Sequence, residues 1–227
     1  MDLSPDTLDH LHGRRFSNGK RFDLGNRGRA PRRADRLVEL ARGQRVLHIG
    51  CCDHLPLIRE KVGLGLYLHQ NLCRAAERCV GIDTHVEGVT LLRELGFAEV
   101  YTPDSAPPQV LQAEYDLCLL GDVIEHVGDP VSFLRSMRRY HFKQLLVATP
   151  NAFRWRNCLP GGELINTDHR FWFTPYTLCK VLVDAGFEPR RVELCHGDHA
   201  SWRGALAARV MDHFPRWREA LLVTARP

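Results

Sequence analysis

The sequence predicts an α/β fold in which helices cover both faces of a mostly parallel β-sheet. Short apolar runs alternate with segments of helical periodicity, which is the pattern of βαβ units. Most of these runs end at a glycine or a polar residue, as strands buried on both faces do. The chain has 227 residues, 44% of them apolar. This size suits one domain with a modest appendage.

Strands are predicted, in chain order, at residues 45–50, 79–83, 98–102, 115–122, 144–150, 190–195 and 220–225. Helices are predicted from Pro31 to Gly43, at 89–95, 131–140 and 177–185, and near the C-terminus. Residues 55–78 have broken helical periodicity and are interpreted as an insertion. The glycine-rich stretch up to Ala30 is predicted to be loop or a loosely docked lid.

The basic residues are concentrated near the N-terminus. Residues 14–36 hold nine Lys or Arg against two Asp, whereas residues 37–227 hold 22 basic and 22 acidic side chains. This distribution argues against a nucleic-acid partner, since no basic coat covers the remaining chain. We therefore predict a basic arm or lid over 1–35 and one domain over 36–227.

Cellular location is predicted from the cysteines and the N-terminal composition. The first residues lack the basic start and apolar middle of a secretory signal, and no apolar stretch approaches the roughly 18–20 residues that span a bilayer. We expect a cytoplasmic protein with no membrane partner and reduced thiols. The eight cysteines include no CxxC pair. Their spacing therefore predicts no zinc knuckle.

Candidate binding residues follow the predicted strands, because open α/β sheets bind ligands outside the carboxyl ends of their strands. A glycine there allows a sharp turn and close approach of a ligand, and a carboxylate can hold a ribose diol. An aspartate that ends a strand can also be a helix cap. The candidates are Gly50, Cys51, Asp53, Asp83, Asp104, Gly121 and Asp122.

Five segments occur in the order found in one enzyme superfamily: RVLHIGCCD, CVGID, YDLCLLGDVIEHVGDP, LLVATPNAF and NTDHRFWFTPYTLCKVLVDAGF. On these segments, residues 36–195 resemble the class I S-adenosylmethionine-dependent methyltransferases. DVIEHVGDP, TPN and DHRFWFT are similar to a branch with ubiquinone-type and natural-product O-methyltransferases. The resemblance implies a Rossmann-like, seven-stranded fold that binds S-adenosylmethionine. The first loop departs from the usual GxGxG and has GCCDH.

The resemblance also implies a role for each candidate at the strand ends. The segment Gly50–Asp53 would face the methionine part of the cofactor. Asp83 would hold the ribose hydroxyls, and Asp104 would lie near the adenine. Gly121 and Asp122 would flank the sulfonium.

Two histidines within the motifs, His126 and His169, are the candidate catalytic residues. Methyl transfer to a hydroxyl requires removal of a proton, and imidazole titrates near neutral pH. The structural alternatives are that His126 bonds a backbone carbonyl and that His169 packs beside Trp172. We expect the acceptor to be a hydroxyl, rather than an amine, of a small polar molecule such as a natural product or sugar.

The motif D-x-x-E-H supplies a candidate metal site. Offsets of three and four would place Asp122, Glu125 and His126 on one helical face, where His169 could join them around a divalent cation such as Mg²⁺. The set resembles that of metal-dependent RNA 2′-O-methyltransferases, which have E-x-x-E-H. The alternative needs no metal and has Asp122 beside the cofactor and Glu125 as a cap.

Other segments bear on the acceptor and on assembly. The long connection 153–175 is expected to line the acceptor pocket. The amphipathic C-terminal helix could form a homodimer surface or pack on the core. Three functions remain open: a small-molecule methyltransferase, an RNA 2′-O-methyltransferase, and a catalytically inactive cofactor-binding or partner-binding module, which the missing loop glycines suggest.

Overall fold

The architecture is a seven-stranded sheet, seen in a computed structural model that describes residues 1–24, 27–160, 164–198 and 202–227, with only the backbone of 202–205. The strands are β1 (Arg45–Ile49), β2 (Arg78–Ile82), β3 (Val100–Tyr101), β4 (Glu114–Gly121), β5 (His141–Pro150), β6 (Glu188–Cys195) and β7 (Ala220–Arg226). Their spatial order is β3-β2-β1-β4-β5-β7-β6. All neighbours are parallel except β7, which is antiparallel to β5 and β6. The predicted fold class is confirmed.

Helices cover both faces of this sheet. They are α1 (Pro5–Leu11), α2 (Arg33–Ala41), α3 (Leu55–Gly63), α4 (Leu68–Ala75), α5 (Val86–Glu94), α6 (Pro108–Leu111), α7 (Pro130–Ser136), α8 (Pro175–Asp184) and α9 (Trp202–His213). One core cluster joins α1, α7 and α8 to the sheet through Leu11, Leu134 and Leu178. A second cluster joins α2 and α4 to the other face through Leu37 and Leu72.

Strand β4 shows why the sequence has continuous apolar runs. Leu117 and Leu119 point into the α2/α4 cluster, whereas Cys118 and Leu120 point into the opposite cluster. Successive side chains alternate between the two faces of a strand, and both faces of this sheet are covered. Every position from 117 to 120 is therefore buried and apolar.

The topology fixes where a ligand can bind. The chain runs outward from β1 through β2 to β3 and then returns to form β4 on the other side of β1. The carboxyl ends of β1 and β4 thus lie at a switch point, and open α/β sheets bind ligands in the crevice outside it.

The N-terminal segment differs from the sequence prediction. The prediction of a loop up to Ala30 is wrong for residues 5–11, which form helix α1. Ser4 caps this helix by accepting a hydrogen bond from the amide of Thr7. Leu11 is fully buried against α8, and the N-terminal ammonium of Met1 donates to the carbonyl of Val192 at 2.9 Å. Tertiary packing stabilises a helix too short to be stable alone. The division into an arm, 1–35, and a domain, 36–227, stays a prediction.

Helix α9 has both a buried and an exposed apolar side. Met211 is buried, whereas Leu206 and Val210 are exposed, as is Phe214 directly after the helix. The homodimer surface therefore stays a prediction. Among the described residues, no helix is both long and apolar enough to cross a membrane. All eight cysteines carry free thiols.

Candidate active site

Gly50 lies where the loop after β1 passes over the turn that follows β4. Its φ of +74° is in the left-handed region, and a Cβ there would lie 2.2 Å from Cγ2 of Val123. Its amide donates to the carbonyl of Ile82 at 2.8 Å. The first position of GCCDH is therefore restricted to glycine by both backbone conformation and space.

Asp83 follows β2 and lies against the same loop. One oxygen, Oδ2, accepts from the amide of Cys52 at 2.8 Å, and Oδ1 accepts from the amide of His85 at 2.9 Å. A carboxylate offers about four lone-pair positions, so two remain for a ligand. The carboxylate is held by backbone donors from two elements before any ligand binds.

The other loop candidates have different surroundings. Cys51 is buried, and the hydrogen bond with Cys52, together with burial, raises the pKa of its thiol. Asp53 forms an ion pair with Lys61. Asp104 is exposed in the turn of residues 102–105 after β3. Since the Cys51 thiol is buried, the backbone is the part of this residue that can face a ligand.

Asp122, directly after β4, is paired with an arginine that the sequence analysis did not single out. Its φ is +55°, the only positive value for a non-glycine among the described residues. Its Oδ2 lies 2.8 Å from Nη1 of Arg33, and Nη2 of Arg33 lies 3.0 Å from Asp198. Burial raises the pKa of Asp122, and the Arg33 charge opposes that shift. This pairing ties the start of α2 to the end of β4.

The D-x-x-E-H segment is a turn, so the prediction that its side chains share a helical face is wrong. The amide of His126 donates to the carbonyl of Val123 at 3.0 Å, but the chain does not continue as a helix. Glu125, His126 and His169 nevertheless place one ligand atom each within 4.8 Å of one another. Asp122 is outside this described group because its carboxylate is directed to Arg33.

Glu125 is the fully buried member of this group. Its Oε2 accepts from the hydroxyl of Thr149 at 2.9 Å, and its backbone carbonyl accepts from the amide of Arg170 at 2.8 Å. Burial and the nearby Asp122 charge raise the pKa of Glu125 to about 8. The turn after β4 thereby fixes the position of the segment that carries His169.

The two histidines are in contact with each other. Their ring centroids are 4.7 Å apart at 87°. Nδ1 of His126 lies 3.1 Å from the carbonyl oxygen of Asp168, and the His169 ring lies 5.4 Å from Trp172. Both structural roles considered for these histidines are therefore observed. Burial, with the neighbouring His126 and Arg154, lowers the pKa of His169.

Two polar atoms of this group have unused bonding capacity. Within the described chain, neither Oε1 of Glu125 nor Nδ1 of His169 has a hydrogen-bond partner, although both are buried. Leaving such atoms unpaired is costly, so they indicate a place for a substrate group, a water or a cation. One carboxylate and two imidazoles fit a transition metal better than Mg²⁺, which prefers oxygen ligands.

The connection 153–175 carries His169 and lies beside His126. Its residues 161–163 fall outside the described chain. Phe173 is buried in the core, whereas Phe171 is 38% exposed. The guanidinium of Arg154 lies 4.5 Å from the centroid of Trp172. Phe173 anchors the connection, so of the three consecutive aromatics Phe171 and Trp172 are the candidates for contacting an acceptor.

The strand order, with an antiparallel seventh strand and a ligand crevice at β1 and β4, defines a class I S-adenosylmethionine-dependent methyltransferase fold. A family model described as a methyltransferase domain matches residues 23–192. The chain therefore belongs to the methyltransferase domain family of S-adenosylmethionine-dependent enzymes.

Solved structures of low sequence identity share this fold. A methyltransferase from Mesorhizobium loti is 15% identical with a TM-score of 0.53, and the alignment covers 86% of this chain and 98% of that one. A methyltransferase from Archaeoglobus fulgidus is 16% identical with a TM-score of 0.54, and the alignment covers 86% of this chain and 91% of that one. Magnesium protoporphyrin IX methyltransferase from Synechocystis, solved with bound SAH, is 16% identical with a TM-score of 0.52. The alignment covers 85% of this chain and 81% of that one. No functionally curated protein sequence matches the chain significantly.

Proposed function

We propose that this methyltransferase transfers a methyl group from S-adenosylmethionine to a hydroxyl of a small polar molecule in the cytoplasm. The observation that carries this proposal is the orientation of His126. A carbonyl oxygen only accepts, so the 3.1 Å contact with Asp168 places a proton on Nδ1 of His126. Its Nε2 then keeps a lone pair, which is what a general base for a hydroxyl requires.

The roles of the remaining residues follow from their positions. S-adenosylmethionine supplies, when bound, a methyl group on a sulfonium leaving group. Asp83 binds the ribose hydroxyls, the backbone of Gly50–Asp53 faces the methionine part, and Asp104 lies near the adenine. Gly121 and Asp122 flank the sulfonium. These assignments are supported by the fixed carboxylate of Asp83 and the close approach of the loop after β1 to the turn after β4.

His126 acts on the acceptor itself. When the acceptor oxygen takes the methyl group that a bound cofactor would supply, with the thioether as leaving group, Nε2 of His126 would accept the hydroxyl proton. His169 holds the His126 ring edge-on, and Glu125 fixes the loop that carries His169. These residues orient the acceptor and accept its proton, and orientation contributes much of the rate of such a displacement.

Two segments bound the acceptor pocket. The connection 153–175 borders the histidines, and the N-terminal arm, 1–35, lies next to the start of α8, where Phe22 contacts Tyr176 with ring centroids 6.0 Å apart. We assign the arm the role of a lid. Its basic charge favours a polar or anionic small molecule over a neutral apolar one.

The acceptor class is tested with methyl-labelled S-adenosylmethionine. The protein is incubated with a small-molecule metabolite extract and, separately, with purified small RNA, and label is counted in each fraction. We expect label in the small-molecule fraction. Loss of a general base costs about 10²–10⁴-fold in rate, so we expect His126→Asn to lower labelling by that amount.

His141→Asn is the matched control, because His141 is exposed at the amino end of β5, remote from the site. It should label the extract at the wild-type rate. Label confined to RNA, or a wild-type rate in His126→Asn, would contradict the proposal.

A second candidate function is cation-dependent methylation of an RNA 2′-hydroxyl. The convergence of Glu125, His126 and His169, with two unpaired buried atoms, favours it. A cation there would bind the hydroxyl and lower its pKa. We prefer the first function, because Arg33 engages Asp122, the fourth candidate ligand.

Chelation separates the two functions. We expect excess EDTA to leave the rate of small-molecule labelling unchanged, because His126 can take the proton without a cation. The measurement is the initial rate with EDTA and after adding Mn²⁺. Activity on RNA that disappears in EDTA and returns with Mn²⁺ in the wild type, but not in Glu125→Gln, would establish the second function instead.

A further inference from the structure

A second group of ligating side chains lies between α4 and β2. His69 and Cys73 are four residues apart on α4, so they share one face of that helix. Cys79 is the second residue of β2. The three side chains place one ligand atom each within 4.8 Å of one another.

The imidazole of His69 forms the centre of this group. Its Nε2 lies 3.6 Å from Sγ of Cys73, and its Nδ1 lies 3.8 Å from Sγ of Cys79. The ring is 1% exposed and packs over Gly81, where a Cβ would lie 2.9 Å from Cε1 of His69. Gly81 therefore provides the space that the ring occupies.

His48 on β1 orients that imidazole. Its Nδ1 lies 3.1 Å from Nδ1 of His69, and its ring is 2% exposed. A neutral His48 can accept a hydrogen bond from Nδ1–H of His69, which directs the Nε2 lone pair of His69 towards Cys73. Histidines that bind metal ions donate their second N–H to a neighbour in this way.

Cys73 opens the group to solvent. It is exposed, whereas His69 and Cys79 are buried. Its sulfur lies 3.6 Å from Nε2 of His69, and a thiol at the surface can release its proton to solvent when a cation binds. The thiolate is the form that binds metal ions.

We propose that His69, Cys73 and Cys79 form a binding site for a thiophilic metal ion such as Zn²⁺, with a fourth position open to solvent. Zinc bond lengths of about 2.3 Å to sulfur and 2.0 Å to nitrogen correspond to ligand separations of ~3.4–3.8 Å in a tetrahedral site. The 3.6 Å separation between Cys73 and His69 is within this range.

A bound ion would connect the inserted helix α4 to the sheet. Tyr67, directly before α4, donates its hydroxyl proton to the carbonyl of Cys51 in the loop after β1. The ion would thus raise the Tm by fixing α4 against the sheet, whereas the labelling rate of the folded protein would stay unchanged without it. The site does not depend on the proposed acceptor, since none of its three ligands belongs to the candidate active site.

The test is titration of the reduced 227-residue protein with Co²⁺, followed by displacement with Zn²⁺. We expect one equivalent to bind with a near-ultraviolet thiolate-to-cobalt band, and Zn²⁺ to raise the Tm. Losing an indirect partner of a metal already costs about 10–100-fold in affinity, so Cys73→Ser, which removes a ligand, should cost more than about 100-fold.

The matched control is Cys158→Ser, which replaces another exposed free thiol, in the 3₁₀ turn Trp155–Cys158. It should bind Co²⁺ and Zn²⁺ as the wild type does. Because Cys73 is exposed, Cys73→Ser should keep the wild-type Tm without metal, which separates a lost ligand from a misfolded protein.

Two results would overturn the proposal. One is unchanged Zn²⁺ affinity in Cys73→Ser. The other is loss of the cobalt band in Cys52→Ser but not in Cys73→Ser, which would assign the metal to the cluster of Cys51, Cys52 and Asp83. A cation at Glu125, His126 and His169 would give no thiolate band, so the two candidate metal sites are spectroscopically distinct.

Discussion

Replacing Gly50 with alanine is expected to lower the free energy of unfolding by about 2–5 kcal/mol and to abolish measurable binding of S-adenosylmethionine. A left-handed conformation costs a non-glycine residue about 1–2 kcal/mol, and overpacking costs about 1–3 kcal/mol more. Both apply here, because φ is +74° and the new Cβ would lie 2.2 Å from Cγ2 of Val123. The loop and the turn after β4 must separate to relieve this contact, which displaces both walls of the crevice.

Gly43→Ala is the matched control. Gly43 has a φ of +66°, and a Cβ there would meet nothing within 4 Å. Gly43→Ala should lower the free energy of unfolding only by the cost of the left-handed conformation, about 1–2 kcal/mol. Urea unfolding measures stability, and calorimetry measures binding.

Val123→Ala in the Gly50→Ala background shows how much of the lost stability comes from the steric contact. It removes the methyl group that the new Cβ would meet, so it should restore part of the lost stability. Equal losses in Gly50→Ala and Gly43→Ala, with no rescue, would show that contact with Val123 does not restrict this position.

Most of the sheet was predictable because its strands carry a strong local signal. Strand β4 is buried on both faces, and its unbroken apolar run marks it in the sequence. Helix α1 carries no such signal. Its residues are mostly polar, and burial of Leu11 against distant elements decides its conformation. Local periodicity cannot report a contact made by distant parts of the chain.

The site residues that directly follow strands could be predicted from the sequence. The conformation of the turn after β4 could not. D-x-x-E-H has helical spacing, but Asp122 has a φ of +55°, which an α-helix does not accept. Glu125 and His126 still meet His169, because Glu125 bonds both Thr149 and the loop that carries His169. The grouping predicted from the sequence arises from a turn rather than a helix.

Ion pairs between distant residues were the part that the sequence could not supply. Arg33 and Asp198 are 165 positions apart. The available signal was Arg33 at the start of α2, where the helix dipole disfavours positive charge and an acidic partner is favourable. The cluster of His69, Cys73 and Cys79 was missed for a similar reason. Its side chains come from two elements and include a histidine, so cysteine spacing does not reveal it.

Replacing Asp83 with asparagine is expected to weaken binding of S-adenosylmethionine by about 10–100-fold, since a hydrogen bond to a charged group contributes about 1.5–3 kcal/mol. Asparagine also has only one acceptor oxygen. It cannot accept from the amides of both Cys52 and His85, as the two oxygens of Asp83 do. The side chain would lose its charge and one of the contacts that hold it towards the crevice.

Asp184→Asn makes the same change at an exposed carboxylate at the end of α8 and should bind as the wild type does. Calorimetry with S-adenosylmethionine and S-adenosylhomocysteine gives the affinities, and the Tm without ligand shows whether each variant is folded. Wild-type affinity in Asp83→Asn would place the ribose elsewhere. Absence of binding in the wild type would contradict the enzyme proposals and favour the inactive module that GCCDH suggested. The two outcomes differ because the first leaves a functional cofactor site with a different carboxylate, whereas the second leaves no cofactor site.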